Sequence, residues 1–202
     1  MQSTESPEIR IAGLAGSLRP ESVTRMAVRY ALRGAEEARA KVQLLDLGSY
    51  NLPSCGRENE TENIVHVERF RADLRGSDGI ILGSPEIHGS FSGVLKNALD
   101  LTGFDEFEGK MIGLVGVAGG SLGAVETLSH LRTVGRALHA WVVPLQVSIP
   151  NSSEAFDPNG NPVDSQVAGR LKQIGRQVTH FALYLQVRES HAVSQRLGGY
   201  SP

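Results

Sequence analysis

Five short apolar segments, each followed by a segment with helical periodicity, constrain the fold of this chain more than any other feature. The predicted strands cover residues 9–15, 42–47, 78–84, 111–117 and 141–149. Several of them are continuously apolar rather than alternating, as expected for parallel strands that are buried on both faces. Strands that alternate with helices predict an α/β sandwich around a parallel sheet with right-handed crossovers.

The segments between and after these strands show helical patterns and two irregular regions. The predicted helices lie at about residues 22–38, 64–74, 91–101, 124–138 and 164–187. Residues 48–63 and 151–162 are rich in turn-forming and polar residues, which is typical of loops. The 202 residues suit a single domain spanning residues 1–202, and we expect disordered tails at residues 1–7 and about 190–202.

The composition excludes several classes of protein. A formal net charge of −2 without a long basic run disfavours nucleic acid or an anionic membrane as a partner. Cys55 is the only cysteine, so an internal disulfide is impossible and a cytoplasmic location is the simplest expectation. The N-terminal sequence MQSTESPE lacks the pattern of a signal peptide, and no apolar run reaches membrane-spanning length.

Glycine and small polar residues are concentrated after the first, third and fourth predicted strands. These segments read GSLRPES, SPEIHGSFSG and AGGSLGA, whereas GAEEARAK and FDEFEGK at the opposite ends read as charged turns. In open parallel sheets, ligands bind beyond the carboxyl ends of the strands, near the point where the strand order switches. The sequence therefore predicts a ligand site at this edge of the sheet.

The first of these segments has the chemistry of an anion site. Ser17, Arg19, Ser22 and Thr24 lie where a buried strand turns into a helix, and backbone N–H groups, hydroxyls and the positive end of the helix dipole converge there. The glycine spacing matches neither a Walker A loop nor G-x-G-x-x-G, so a mononucleotide phosphate fits better than a triphosphate or a dinucleotide. The alternative is a capped turn, with Ser22 as N-cap and a solvated Arg19.

The second segment, SPEIHGSFSG, predicts a loop beside a flat ligand. Pro85 is expected to end the preceding strand, and Gly89 allows close approach of the backbone. Glu86 and His88 could suggest acid–base catalysis, but we interpret them as hydrogen-bonding residues. The alternative is a plain strand-to-helix turn with Ser90 as N-cap.

The third segment, residues 118–123, has almost no side chains. It could present backbone N–H donors to the edge of a ring, or it could be a flexible connection. The histidines show no metal-ligand spacing, and Cys55 has no neighbouring histidine or nucleophile-elbow motif. We therefore predict no metal site and no catalytic side chain.

Together, GSLRPESVT, GSPEIHGSFSGVLKNALD and the later glycine loop followed by LR resemble the NAD(P)H-dependent FMN reductase family, over roughly residues 9–149. That family includes quinone, azo-compound and chromate reductases. The resemblance implies a flavodoxin-like three-layer sandwich with a five-stranded parallel sheet in the order 2-1-3-4-5. It also implies bound FMN, NAD(P)H as co-substrate with NADPH favoured, small-molecule electron acceptors, and a homodimer or homotetramer.

The resemblance also implies which residues contact FMN. The phosphate would lie against Ser17, Arg19, Ser22 and Thr24. The isoalloxazine ring would lie along Pro85, Glu86, Ile87, His88 and Gly89, with its edge near Ala118, Gly119 and Gly120. Three positions depart from the family pattern, which usually has Asn for Thr24, Tyr for Ile87 and Asn for His88. Without the tyrosine an aromatic surface near the flavin is missing, which leaves the substrate preference open.

The implied activity is transfer of hydride from NAD(P)H to FMN, and of electrons from FMN to a quinone, azo compound, metal oxyanion such as chromate, or free flavin. The alternative is a non-catalytic electron carrier of the flavodoxin type. Such carriers usually have a strongly acidic surface and aromatic residues beside the ring, whereas this chain has a net charge of −2 and 5% aromatic residues. A flavin-free binding module is a third and weaker alternative.

Overall fold

The computed structural model describes residues 7–57 and 60–197. Within them, the six strands are β1 Arg10–Ala15, β2 Lys41–Asp46, β3 Gly79–Ile87, β4 Ser90–Phe91, β5 Met111–Val117 and β6 Trp141–Ile149. The helices are α1 Val23–Glu37, α2 Thr61–Arg75, α3 Gly93–Asp100, α4 Phe104–Phe107, α5 Val125–Ala137 and α6 Ser165–Leu197.

The sheet has the strand order β2-β1-β3-β5-β6, and these five strands pair in parallel. They correspond to the five predicted strands, so the predicted order 2-1-3-4-5 is confirmed. The two-residue strand β4 adds an antiparallel pairing to the end of β3. The chain leaves β1 toward β2 on one side and later returns to β3 on the other, which places the switch in strand order between the carboxyl ends of β1 and β3.

Helices cover both faces of the sheet, which gives the predicted three layers. On one face, α1 and α6 bury a core that includes Val28, Leu32, Ile174 and Val178. On the other, α2, α3 and α5 bury a second core, and its members include Phe70, Leu74, Leu95, Leu99, Leu128 and Leu131. The leucines of α3 and α5 are therefore buried in the core of this chain.

Helices α1 and α6 touch through their backbones. A Cβ atom on Gly34 would lie 2.0 Å from the carbonyl oxygen of Lys172, and a Cβ atom on Gly175 would lie 2.0 Å from that of Ala31. The side chain of Glu37 ties the ends together by accepting hydrogen bonds from Lys172 and Arg176. The position of α1, whose N-terminus borders the predicted ligand edge, therefore depends on two glycines.

The last helix is longer than predicted. It continues beyond residue 187 to Leu197, so residues 190–197, which we expected in a disordered tail, are helical. The sequence between Gly175 and Gly198 contains no glycine or proline to interrupt a helix. The rest of the expected tails, residues 1–6 and 198–202, lies outside the described residues. Residue 7 is described and belongs to no helix or strand.

The third strand is also longer than predicted, because Pro85 does not end it. The strand runs on to Ile87, and Pro85 is in register with Val117 of β5. On its other side β1 has already ended at Ala15, opposite Gly83. A residue without an N–H is tolerated there because no strand remains to receive its hydrogen bond.

The charged segment FDEFEGK, expected to be an ordinary turn, contains the short helix α4. Its Glu106 is buried, accepts a hydrogen bond from the backbone N–H of Gly103, and forms an ion pair with Arg75 at 2.7 Å. No helix in the described part of the chain is long and apolar enough to cross a membrane.

Candidate functional site

A cavity of about 560 Å³ lies at the carboxyl edge of the sheet, at the switch in strand order. The three predicted segments contribute its walls, together with the start of the loop after β6. Its lining residues are Gly16, Ser17, Leu18, Arg19, Glu21, Ser22, Val23, Thr24, Pro85, Glu86, Ile87, Ser92, Val94, Val117, Gly119 and Ser152. The edge chosen from loop composition therefore carries a cavity.

One wall of the cavity presents hydrogen-bond donors without acceptors. Ser22 is the N-cap of α1, and its side chain accepts the N–H of Arg25 at 3.1 Å. Among the described residues, the backbone N–H groups of Val23 and Thr24 have no acceptor. The exposed side chain of Arg19 likewise has no hydrogen-bond partner there. Free N–H groups at a helix N-terminus beside an unpaired guanidinium form a ready anion site.

The capped-turn alternative for the first segment is thus correct in its details and compatible with anion binding. Ser22 caps the helix, yet the cap uses only the N–H of Arg25, and the two earlier N–H groups remain free. Arg19 is solvated, yet it lines the cavity without a carboxylate partner. The only acidic lining residue near it is exposed Glu21, which faces the same space.

The second segment is a β-hairpin rather than a loop. Glu86 pairs with Phe91 and Ile87 with Ser90, which leaves His88 and Gly89 as a two-residue turn. Both turn residues have positive φ, 49° and 73°, the combination of a type I′ turn. Asn and Gly are the residues that such a turn favours, so the Asn usual at position 88 in the family has a conformational explanation.

The residues of the hairpin differ in whether they line the cavity. Pro85, Glu86 and Ile87 line the cavity, whereas His88 and Gly89 do not. The carboxylate of Glu86 accepts the N–H of Thr127 at 3.1 Å. It therefore caps the N-terminus of α5, where the N-cap residue Ala124 offers no side-chain acceptor. This agrees with our interpretation of Glu86 as a hydrogen-bonding residue.

The third segment is held by the loop that follows β6. The N–H of Ala118 donates to Ile149, and the carbonyl oxygens of Ala118 and Gly120 accept from Ser152 and Asn151. These hydrogen bonds favour a defined turn over a flexible connection. Gly119 lines the cavity, with open space around its Cα, whereas Ala118 and Gly120 do not line it.

A chain of buried hydroxyls that the sequence interpretation missed joins the first two segments. Ser92 is the N-cap of α3 in place of the expected Ser90, and accepts the N–H of Leu95 at 3.1 Å. Its hydroxyl donates to the carbonyl of Gly16 at 2.6 Å, while its N–H donates to the hydroxyl of Ser84 at 2.9 Å. A serine just before the apolar run VLKNAL is a sequence signal for the N-cap. No sequence signal indicates the contact with Gly16.

We predict that Ser92→Ala lowers the free energy of unfolding by about 2 kcal/mol, because it removes an N-cap and leaves the buried carbonyl of Gly16 unpaired. Ser90→Ala is the control, because that hydroxyl bonds only to His130 in an exposed contact, and its effect should stay within about 0.5 kcal/mol. Urea denaturation of the two variants measures the difference. Equal effects would contradict the assignment of Ser92 as the cap.

The chain is similar to known reductases in both sequence and structure. Residues 9–154 match the family described as NADPH-dependent FMN reductase. An FMN-dependent NADPH-azoreductase from Staphylococcus aureus (strain USA300) is 34% identical over 164 residues, which cover 77% of this chain and 87% of that protein.

Solved structures with lower sequence identity share the fold. An oxidoreductase from Corynebacterium diphtheriae superimposes with a TM-score of 0.73 at 19% identity, covering 88% of this chain and 98% of that one. A flavoenzyme NAD(P)H:(acceptor) oxidoreductase from Paracoccus denitrificans has a TM-score of 0.68 at 22% identity, with coverage of 86% and 97%.

Proposed function

Because this chain belongs to the NADPH-dependent FMN reductase family, we propose that the cavity at the carboxyl edge of its sheet binds FMN and that the protein uses NADPH to reduce a small-molecule acceptor. The observation that carries this proposal is the wall of unpaired donors around Arg19 and the N-terminus of α1. When bound, FMN would supply the redox chemistry by accepting hydride from NADPH and passing electrons to the acceptor.

The donor set fits the phosphate of FMN. Arg19 would hold phosphate oxygens with its guanidinium, and the N–H groups of Val23 and Thr24 would donate to them at the positive end of α1. The hydroxyl of Ser17 has no hydrogen bond within the described residues and lines the same wall. Thr24 replaces the usual Asn and lines the cavity, where its backbone N–H, which any residue supplies, and its hydroxyl would both be donors to an anion.

The remaining walls fit an uncharged flat ring. Pro85 and Ile87 present apolar surface on one side, and Val94 and Val117 extend it. Gly119 has no side chain to exclude a ligand, and its N–H is unpaired among the described residues. The carboxylate of Glu86 accepts a hydrogen bond from the N-terminus of α5, so in this proposal Glu86 has a structural role and the chain serves to orient the reactants and stabilise charge.

We propose an azo compound as the acceptor, supported by the Staphylococcus aureus relative, which is named an azoreductase, or a quinone, supported by the family resemblance. Ile87 is 45% exposed at the rim of the cavity, so the rim offers a small apolar surface for an aromatic acceptor. Metal oxyanions such as chromate and free flavin remain candidates from the family resemblance. The relatives named above are reductases, and they support an enzyme rather than a non-catalytic carrier.

Three measurements test this function. The purified protein should bind FMN in a fluorescence titration, oxidise NADPH when FMN-loaded, and transfer the electrons to an azo dye or a quinone at steady state. A screen with NADPH and NADH against each acceptor class would define the preference. Absence of FMN binding would refute the proposal, and FMN binding without steady-state turnover would favour the electron carrier.

We also propose a homodimer or homotetramer with the rim of the cavity near the interface. Leu122 in the third segment is 92% exposed, and Val125, the first residue of α5, is 53% exposed. Light scattering on the purified protein measures the assembly, and a monomer would contradict it. A cytoplasmic location remains a prediction that rests on the single cysteine.

A further inference from the structure

We propose that Arg25 is a positioning residue that shapes the first segment for a phosphate group without contacting the phosphate itself. This inference rests on the proposed function, since it concerns how the FMN phosphate is held. An arginine on an amphipathic surface helix ordinarily lies on the solvated face. Instead its side chain is only 14% exposed, and it does not line the cavity.

The guanidinium of Arg25 donates hydrogen bonds to carbonyl oxygens of the segment that precedes α1. Nη1 donates to the carbonyls of Arg19 at 3.1 Å and Pro20 at 2.9 Å, and Nη2 donates to that of Ser17 at 3.4 Å. Three carbonyls on one guanidinium require its planar fork of donors, which a lysine ammonium does not have. The residues between β1 and α1 are thus folded around one side chain.

These contacts set the direction of the peptide dipoles in the segment. In a trans peptide, the C=O and the following N–H point in opposite directions, and no peptide bond among the described residues is cis. When the carbonyls of Ser17 and Pro20 point at Arg25, the N–H groups of Leu18 and Glu21 point away from it. Both of these residues line the cavity, and no described acceptor takes up either N–H.

Arg25 is anchored on its other side by Asp46 at the end of β2. Nη2 lies 3.3 Å from Asp46 Oδ1, which also accepts the N–H of Gly48. The Nε atom of Arg25 is buried and has no hydrogen-bond partner in the described part of the chain, which carries a free-energy cost. The hydrogen bonds from the two terminal nitrogens of Arg25 to the three carbonyls offset this cost.

Loss of the hydrogen bonds from Arg25 to these carbonyls should therefore weaken binding of the phosphate end of the ligand. Binding of the ring end should not change. Without the guanidinium, carbonyl oxygens are free to turn toward the cavity, where they would repel an anion. Riboflavin has the same ring as FMN but no phosphate. The ratio of the two affinities therefore separates an effect on the first segment from a general loss of the fold.

The experiment is a fluorescence titration of FMN and riboflavin with the wild-type protein, Arg25→Ala, Arg25→Lys and the control Arg29→Ala. Arg29 lies one turn further along α1 and is exposed. In Arg25→Ala we expect the Kd for FMN to rise about tenfold, because about one backbone N–H hydrogen bond to the charged phosphate would be lost when the segment reorients, while the Kd for riboflavin changes less than about twofold. Amide exchange in residues 17–21 should accelerate in the same variant, and Arg29→Ala should match the wild type in all three measurements.

Arg25→Lys keeps the charge and most of the stem, so it tests the proposal even where the alanine variant fails to fold. We expect lysine to recover less than half of the lost preference for FMN, because one ammonium cannot span the three carbonyls. Full recovery by lysine would overturn the proposal in favour of simple charge, and an unchanged ratio of FMN to riboflavin affinity in Arg25→Ala would overturn it outright. Failure of the wild-type protein to bind FMN would instead refute the proposed function.

Discussion

Replacing Gly175 by alanine is expected to lower the free energy of unfolding by about 3 kcal/mol, near the upper end for overpacked sites. The new Cβ atom would lie 2.0 Å from the carbonyl oxygen of Ala31 and 2.8 Å from the backbone nitrogen of Ala35. No rotamer change relieves a contact between a Cβ atom and backbone, so α1 and α6 must separate. Urea denaturation followed by circular dichroism measures the loss.

The same helix offers a control with the opposite sign. Gly169 also lies in α6, but a Cβ atom there meets nothing within 4 Å. Alanine at that position should raise the free energy of unfolding by up to about 1 kcal/mol, the difference in helix propensity between the two residues. A Gly175→Ala variant as stable as Gly169→Ala would mean that the close approach of α1 and α6 is wrong.

Arg19→Ala is expected to weaken FMN binding by about 10- to 100-fold, the range for a lost charge-assisted interaction with phosphate. The guanidinium is exposed and unpaired among the described residues, so its removal should leave the unfolding free energy within about 0.5 kcal/mol of the wild type. Binding of riboflavin should not change, because riboflavin has no phosphate. Fluorescence titration with both flavins makes the comparison.

Glu21→Gln provides a matched control for charge at the same wall. Its carboxylate is exposed to the cavity that Arg19 lines, so neutralising it should strengthen FMN binding by about twofold at low salt, as expected for an exposed charge. An unchanged FMN affinity in Arg19→Ala would contradict the phosphate assignment. An identical loss of riboflavin binding would show that Arg19 supports the cavity as a whole.

The confirmed parts of the fold are those that depend on local patterns. Continuous apolar runs mark strands that are buried on both faces, and their alternation with helices leaves few topologies. The order of the five parallel strands follows the family resemblance, which the comparisons confirm. The edge of the sheet that carries this cavity was also predictable from local patterns, because glycine and small polar residues are concentrated where the parallel strands end.

The sequence-based predictions fail where the conformation of a residue depends on a segment that is distant in the chain. Pro85 reads locally as a strand end, but it is tolerated inside β3 because β1 has already stopped beside it. The hairpin made by His88 and Gly89 also depends on strand pairing that the loop composition does not reveal, and the cavity lining does not include these two residues. The assignment of the other site residues to FMN stays a prediction that the titrations above address.

The amino-acid sequence by itself determined the class of fold and the edge of the sheet that carries this cavity, and it predicts that the first segment binds an anion. These properties arise from the periodicity and chemistry of residues adjacent in the chain. Only the tertiary structure decided that Ser92 holds Gly16, across 76 positions of sequence, and that Arg25 folds back on Ser17, Arg19 and Pro20. A hydroxyl or a guanidinium has many possible acceptors, and packing alone selects which of them comes within reach.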